Sequence, residues 1–327
     1  MRRWAGGGAV AVLVVAAVVA GCTGDGGRDR SGGDGTPGAS GSAGSAVRGT
    51  AAALPDDVTA ALAVEIRQSR ADWGRRVVQV RVANTGTVDV TVERARLRSP
   101  TVEGDASSDR GRDVRAGVDR DLSVPLGDPV CPVTVGGTAA ADDATGAGTD
   151  GAQVELDVVD ADGRAGTVVV TPEDPQGHLA RIHGEDCATL AVAAGARLWL
   201  DDDLPRHPVD GRLVGSLTLH VEPVAGGPRV EVWQVDRTNL VIPADLTNDW
   251  PVAVDTAALA GGTTVVLPVV PSRCDPHAVA EDKRGTFFGV HARVDGVDQP
   301  VFYVPSSDAL RGSVYDLVAA SCGWSTG

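Results

Sequence analysis

The strongest constraint on what this chain can fold into is a frame of residues that occurs twice. Val124-Pro125-Leu126 leads to Cys131 and is followed by Asp162-Gly163, Pro172 and Cys187. Leu267-Pro268-Val269 leads to Cys274 and is followed by Asp295-Gly296, Pro305 and Cys322. In both copies the first proline stands six residues before the cysteine, and the Asp-Gly glycine nine residues before the later proline. Such a frame calls for two like units, and 327 residues suffice for two domains with separate cores. Val, Ala and Gly dominate while aromatics make up only 3%, a balance that favours strands over helices.

Ahead of both copies, Arg2-Arg3 and the apolar run of residues 9–20 have the form of a secretion signal. The run is short for a membrane span. It ends in Val19-Ala20-Gly21-Cys22, which resembles the bacterial lipobox. That resemblance implies a signal peptide over residues 1–21 and a Cys22 thiol alkylated with diacylglycerol. The chain would then sit on the extracytoplasmic face of the cell membrane. Residues 22–53 comprise the lipidated cysteine and a Gly/Ser/Ala tether without apolar periodicity, which is expected to be disordered. A coil of that length holds the two repeats about 30 Å from the anchor. Loss of Arg2 and Arg3 takes the net charge from −15 to −17. Phosphate backbones repel such a surface, so nucleic acid is excluded as a partner.

Five cysteines with one spent on lipid leave four in an oxidising compartment. Of the three pairings open to them, the repeat selects Cys131–Cys187 and Cys274–Cys322. Metal thiolates are the competing reading, but no Cys-x-x-Cys is present and the spacings are long.

Along the chain, Leu62, Val64 and Ile66 alternate with polar or small residues, as do Val78, Val80 and Val82. Asn84-Thr85-Gly86 supplies a turn and Val88, Val90 and Val92 resume the alternation, which predicts a hairpin. A strand over residues 122–126 leads to Cys131. After a low-complexity stretch at 139–151, Val154, Leu156 and Val158 pair across Asp162-Gly163 with residues 167–170. Asp174-Pro175 predicts the start of a short helix over residues 178–182. Residues 190–200 fit either the end of the first unit or the start of the second.

In the second unit, strands are expected around Leu217–Val221, Val230–Gln234, Leu240–Ile242, and residues 263–270, 288–294 and 301–304. Ser306-Ser307-Asp308 caps a helix whose apolar face is Leu310, Val314, Leu317 and Val318. The chain thus divides into a first repeat at 54–200, a linker at 201–210 and a second repeat at 211–327. The expected class is mainly β, with about six strands, one short helix and one intradomain disulfide per repeat.

Val80-Arg81-Val82-Ala83-Asn84-Thr85-Gly86 followed by alternating valines resembles the immunoglobulin-like sandwiches of secreted bacterial proteins. Neither cysteine span holds a tryptophan, so the likeness is to the sandwich class and not to true immunoglobulins. With its leader and the segment from Cys274 to Gly285, the chain resembles uncharacterised lipoproteins of high-G+C Gram-positive (actinobacterial) type. That resemblance carries no activity.

The segment after Cys274 is the richest in metal-capable groups. Asp275, His277, Glu281 and Asp282, with His291 on the following strand, could bind zinc or another divalent ion. A solvated loop held by a disulfide accounts for them equally well. His183-Gly184-Glu185-Asp186 reads as a polar helix end, and Asp201, Asp202 and Asp203 as a charged linker. Gly-x-Ser-x-Gly, His-Glu-x-x-His, the phosphate-binding Gly-x-x-x-x-Gly-Lys and Ser-x-x-Lys are all absent. Aromatics cluster in the second repeat, where Trp250 and Trp324 are the candidates for a recognition surface. The expected role is a lipid-anchored, non-catalytic binding or scaffold module for a protein or cell-envelope partner, without a cofactor. A solute-binding lipoprotein of a transporter and a metal-dependent envelope enzyme centred on His277 are the alternatives.

Overall fold

The computed structural model describes residues 53–132, 151–280 and 283–324. Cys22, the leader, the tether, most of the low-complexity stretch, Glu281 and Asp282 lie outside them.

The first repeat opens with a one-turn helix α1 (Asp56–Ala60) and then strands β1 (Leu62–Arg67) and β2 (Val77–Asn84). It continues through β3 (Val90–Arg98), β4 (Ala106–Ser107), β5 (Arg112–Val114), β6 (Asp119–Pro125), β7 (Gln153–Asp160) and β8 (Ala165–Val170). Every ladder is antiparallel. One sheet runs β1-β2-β6; in the other, β3 carries β4 and β5 on one edge and β7 then β8 on the other. Val64 lies opposite Val82 and Ile66 opposite Val80, so the period-2 pattern buries one row of valines against the facing sheet.

A helix α2 (His178–Gly195) leads into the second repeat: β9 (Ala196–Leu200), β10 (Arg206–Val209), β11 (Arg212–Pro223), β12 (Val230–Val235), β13 (Val241–Pro243), β14 (Trp250–Asp255) and β15 (Thr263–Pro271). A single turn α3 (Pro276–Ala280), strands β16 (Phe287–Val294), β17 (Val297–Asp298) and β18 (Phe302–Pro305), and helix α4 (Asp308–Ser321) complete it. Its sheets run β10-β11-β15-β13, with β9 also on β11, and β14-β12-β16-β17, with β18 also on β16. The central strands of the two copies correspond: β1-β2-β6 to β9-β11-β15, and β3-β7-β8 to β12-β16-β18. The chain is mainly β, two tandem antiparallel sandwiches. Both expected disulfides are formed, with Cα–Cα distances of 5.5 Å for Cys131–Cys187 and 5.4 Å for Cys274–Cys322. The cap on α4 is the expected one: the Ser307 hydroxyl accepts from the Leu310 amide at 3.1 Å, and all four apolar residues of the face are buried.

Four expectations change. The Asn84-Thr85-Gly86 turn closes no hairpin, because β2 and β3 lie in different sheets. Buried Asn84 donates to the Val88 and Val114 carbonyls and accepts from the Gly86 amide, so its side chain serves the backbone where the chain crosses between layers. The helix ahead of Cys187 is not short but 18 residues long. Asp174 caps it from outside, its two carboxylate oxygens accepting from the amides of His178 and Leu179, while Gly177 turns the chain at φ 62°. The boundary drawn at 200–211 falls inside the second sandwich, since β9 and β10 both pair with β11. Each repeat also holds more than six strands, the unforeseen ones being β4 and β5 in the first and β10, β14 and β17 in the second.

Helix α2 belongs to both cores. Leu179 and Ile182 are buried in the first, Ala188 and Val192 in the second. Its end is docked backbone against backbone: a Cβ on Gly195 would sit 2.3 Å from the Pro228 carbonyl oxygen.

Candidate functional site

The chemistry of this chain gathers where α2 passes between the sandwiches. The first repeat contributes Gln68, the 3₁₀ turn Arg70–Arg75 with Trp73, and Arg76. The second contributes Arg284, Phe287, Tyr303 and Pro305, and α2 itself contributes Arg181, Ile182, Glu185 and Asp186. Trp73, Arg76, Glu185, Asp186, Phe287 and Tyr303 are among the residues that line a cleft of about 150 Å³.

The turn that presents Trp73 is organised by Asp72, which is only 3% exposed. Its carboxylate accepts from Ser69 Oγ at 2.6 Å, Gln79 Nε2 at 2.8 Å and Arg75 at 2.6 Å. Burial alone would push the Asp72 carboxyl up, but these three donors outweigh it and hold the group below the usual aspartate range. Because the folded value is the lower one, the stability it contributes is full above that range and is lost as pH falls through the folded value. Asp72→Asn is therefore expected to cost about 1.5–3 kcal/mol at neutral pH. The gap to wild type should narrow in acid, as read by denaturant unfolding at both pH values. A gap independent of pH would mean the carboxylate charge is not what holds the turn.

The guanidinium groups of Arg181 and Arg284 both lie over the Trp73 ring, and Tyr303 meets it edge-on with centroids 5.4 Å apart. Phe287 presses on the same turn, its ring tip 2.8 Å from where a Cβ on Gly74 would be. Arg181 pairs with Glu185 at 2.8 Å and donates to Gln68 at 2.5 Å. Arg76 grips Asp186 through Nε and a terminal nitrogen, the shortest contact being 2.6 Å. Burial pushes the Glu185 carboxyl up, with Arg181 pulling the other way, and burial pushes the Arg284 guanidinium down against its hydrogen bond to Tyr303. Each charge here faces another group of the chain. The arrangement clamps the sandwiches and leaves a small aromatic-walled recess.

The residues singled out from sequence are scattered. Asp275 caps the His277 amide at 3.0 Å, and His277 is exposed. His291 lies on β16 with Nε2 2.8 Å from Asp236, its ring beside Trp233. Among the described residues, Asp275, His277 and His291 do not converge as a ligand set, because the one-turn helix leaves His277 exposed while the strand places His291 beside Asp236. Trp250 is 4% exposed, donates Nε1–H to the Pro268 carbonyl at 3.0 Å and faces Phe288, so it is a core residue. Trp324 packs against the second core beside Cys322. Among the described residues, the most exposed indoles are Trp199 and Trp233, each 39% exposed. Trp199 stacks on His220, whose Nε2 lies 2.6 Å from Asp201. Glu185 and Asp186 lie mid-helix and not at a helix end.

Sequence reasoning passed over Trp73 and its arginines. The available signal was Arg70-Ala71-Asp72-Trp73-Gly74-Arg75-Arg76, a tryptophan in a polar segment with no strand alternation to explain it.

No protein-family model and no curated protein sequence matches the chain. Among solved structures it is similar to the crystal structure of red sea bream transglutaminase, at 13% identity and a TM-score of 0.20 over 76% of this chain. The chain spans 31% of that enzyme's length. It is also similar to CBD12 from CALX1.2, at 9% identity and a TM-score of 0.17, over 66% of this chain and 73% of that one. Overlaps this slight carry no argument about activity.

Proposed function

We propose that this chain is a lipid-anchored extracytoplasmic lipoprotein acting as a non-catalytic binding or scaffold module at the cell envelope. Diacylglyceryl Cys22 would hold it to the membrane, and the tether would place the two sandwiches within reach of a protein or envelope partner. The observation that carries the reading is the clamp: Arg76 of the first repeat grips Asp186 of α2, and Trp73 of the first repeat meets Arg181 of α2 and Arg284 and Tyr303 of the second. Side chains committed to one another in this way hold the two sandwiches together, which supports a scaffold role. Two disulfides support an oxidising compartment. Exposed Trp199 and Trp233 replace Trp250 and Trp324 as the positions where a partner contact is expected. The transporter reading asks for strands alternating with helices, whereas these sheets are antiparallel with few helices between them.

Fractionation of cells expressing the full chain tests the proposal. Wild type is expected in the membrane fraction, and Cys22→Ser in the soluble extracytoplasmic fraction. Retention of Cys22→Ser in the membrane would sink the lipid-anchor reading. Crosslinking on intact cells would then show whether Trp199→Ala or Trp233→Ala loses a partner that wild type captures.

A further inference from the structure

We infer that the Cys131–Cys187 pair, once reduced, is a zinc site completed by His183. His183 and Cys187 stand four residues apart on α2 and share one helix face. The chain after β6 brings Cys131 to the same place. One ligand atom from each residue, two sulfurs and a ring nitrogen, lie within 4.8 Å of one another. Tetrahedral zinc, with bonds of about 2.3 Å to sulfur and about 2.0 Å to nitrogen, needs its ligands about that close.

The imidazole is prepared for the role. His183 Nε2 lies 2.9 Å from the Val130 carbonyl oxygen. A carbonyl only accepts, so Nε2 carries the proton and Nδ1 keeps the lone pair. Nδ1 is buried and has no hydrogen-bond partner among the described residues. Donating the far N–H to a backbone carbonyl is how metal-bound histidines are held in orientation. Cys274–Cys322 makes the contrast, since no such third ligand joins it among the described residues.

The chemistry balances simply. A dithiol reductant delivers two electrons and two protons to the disulfide and closes to its own disulfide, leaving Cys131 and Cys187 as thiols. Zn²⁺ displaces both thiol protons to solvent, His183 adds its lone pair, and water fills the fourth position.

The test uses the full chain carrying Cys22→Ser, which removes the one thiol outside the two pairs. The protein is reduced with a phosphine without oxygen and titrated with Zn²⁺ against a chromophoric chelator, while the near-ultraviolet circular dichroism of its tryptophans reports that the fold persists. One Zn²⁺ per chain is expected when reduced and none when oxidised. Adding Cys274→Ser and Cys322→Ser should leave binding intact. Cys131→Ser with Cys187→Ser should abolish it. His183→Ala should weaken it at least about 10–100-fold, the loss that even an outer-shell partner brings. Cobalt in place of zinc should give a thiolate charge-transfer band. The inference is overturned if the reduced, folded protein binds no zinc, if the oxidised protein binds it equally, or if either the His183 or the Cys131/Cys187 variant binds as wild type does.

Discussion

Replacing Trp250 with alanine is expected to cost about 3–5 kcal/mol of folding stability, the range for a large aromatic removed from a core. Trp250 opens β14, at the edge of the sheet formed by β12 and β16, and its ring faces Phe288, which is 1% exposed. The indole N–H also reaches across to the facing sheet, to the Pro268 carbonyl at 3.0 Å. Pro268 is the proline of the repeated frame, so this bond ties the two layers at the point where the frame turns towards Cys274. Alanine would leave a cavity between the layers and remove one donor from that carbonyl. Trp250→Phe separates the two losses: it keeps most of the packing and gives up the bond, for about 1 kcal/mol. Urea unfolding measures both. A cost below about 1 kcal/mol for the alanine variant would mean that the ring is peripheral and would return Trp250 to the surface.

How much the sequence disclosed depends on the range over which each signal acts. Val64, Val80 and Val82 declared their strands because alternation is local, and Ser307 declared its cap for the same reason. The disulfide pairing was legible because the frame is duplicated, which supplies a long-range constraint that single spacings lack. The pairing partner of a strand is not local, and there Asn84-Thr85-Gly86 misled. A turn between two alternating runs looks the same whether the chain folds back in its sheet or crosses to the facing one, and buried Asn84 takes the second course. The run from Leu190 to Leu200 was ambiguous because its Ala-rich first half favours helix while Leu198 and Leu200 alternate as a strand. The clamp was not legible. Trp73, Arg181 and Arg284 are far apart in sequence, and nothing in their local patterns says that two guanidinium groups will share one ring. His277 drew notice by density of polar residues, a feature that an exposed capped turn produces without any ligand.

Removing the Cys131–Cys187 disulfide by paired serine substitutions is expected to destabilise the protein by about 4 kcal/mol, as a closed loop of this length predicts. The half-cystines are 56 residues apart, and the position of Cys187 makes the consequence wider than the loop. Cys187 lies on α2 between Ile182, buried in the first core, and Ala188, buried in the second, and next to Asp186, which Arg76 grips from the first repeat. Loosening this point slackens the one element both cores share, so amides of β2 and of β12 should lose protection together in hydrogen exchange. Cys274–Cys322 ties α4 to the chain after β15 within the second repeat, and its loss should reach β2 only through the same helix. If removing Cys131–Cys187 exposed β2 while β12 kept its full protection, α2 would be a connector and the sandwiches would fold separately. Equal loss in both would mean that the two sandwiches are coupled through α2 and the rings around Trp73 and unfold as one unit.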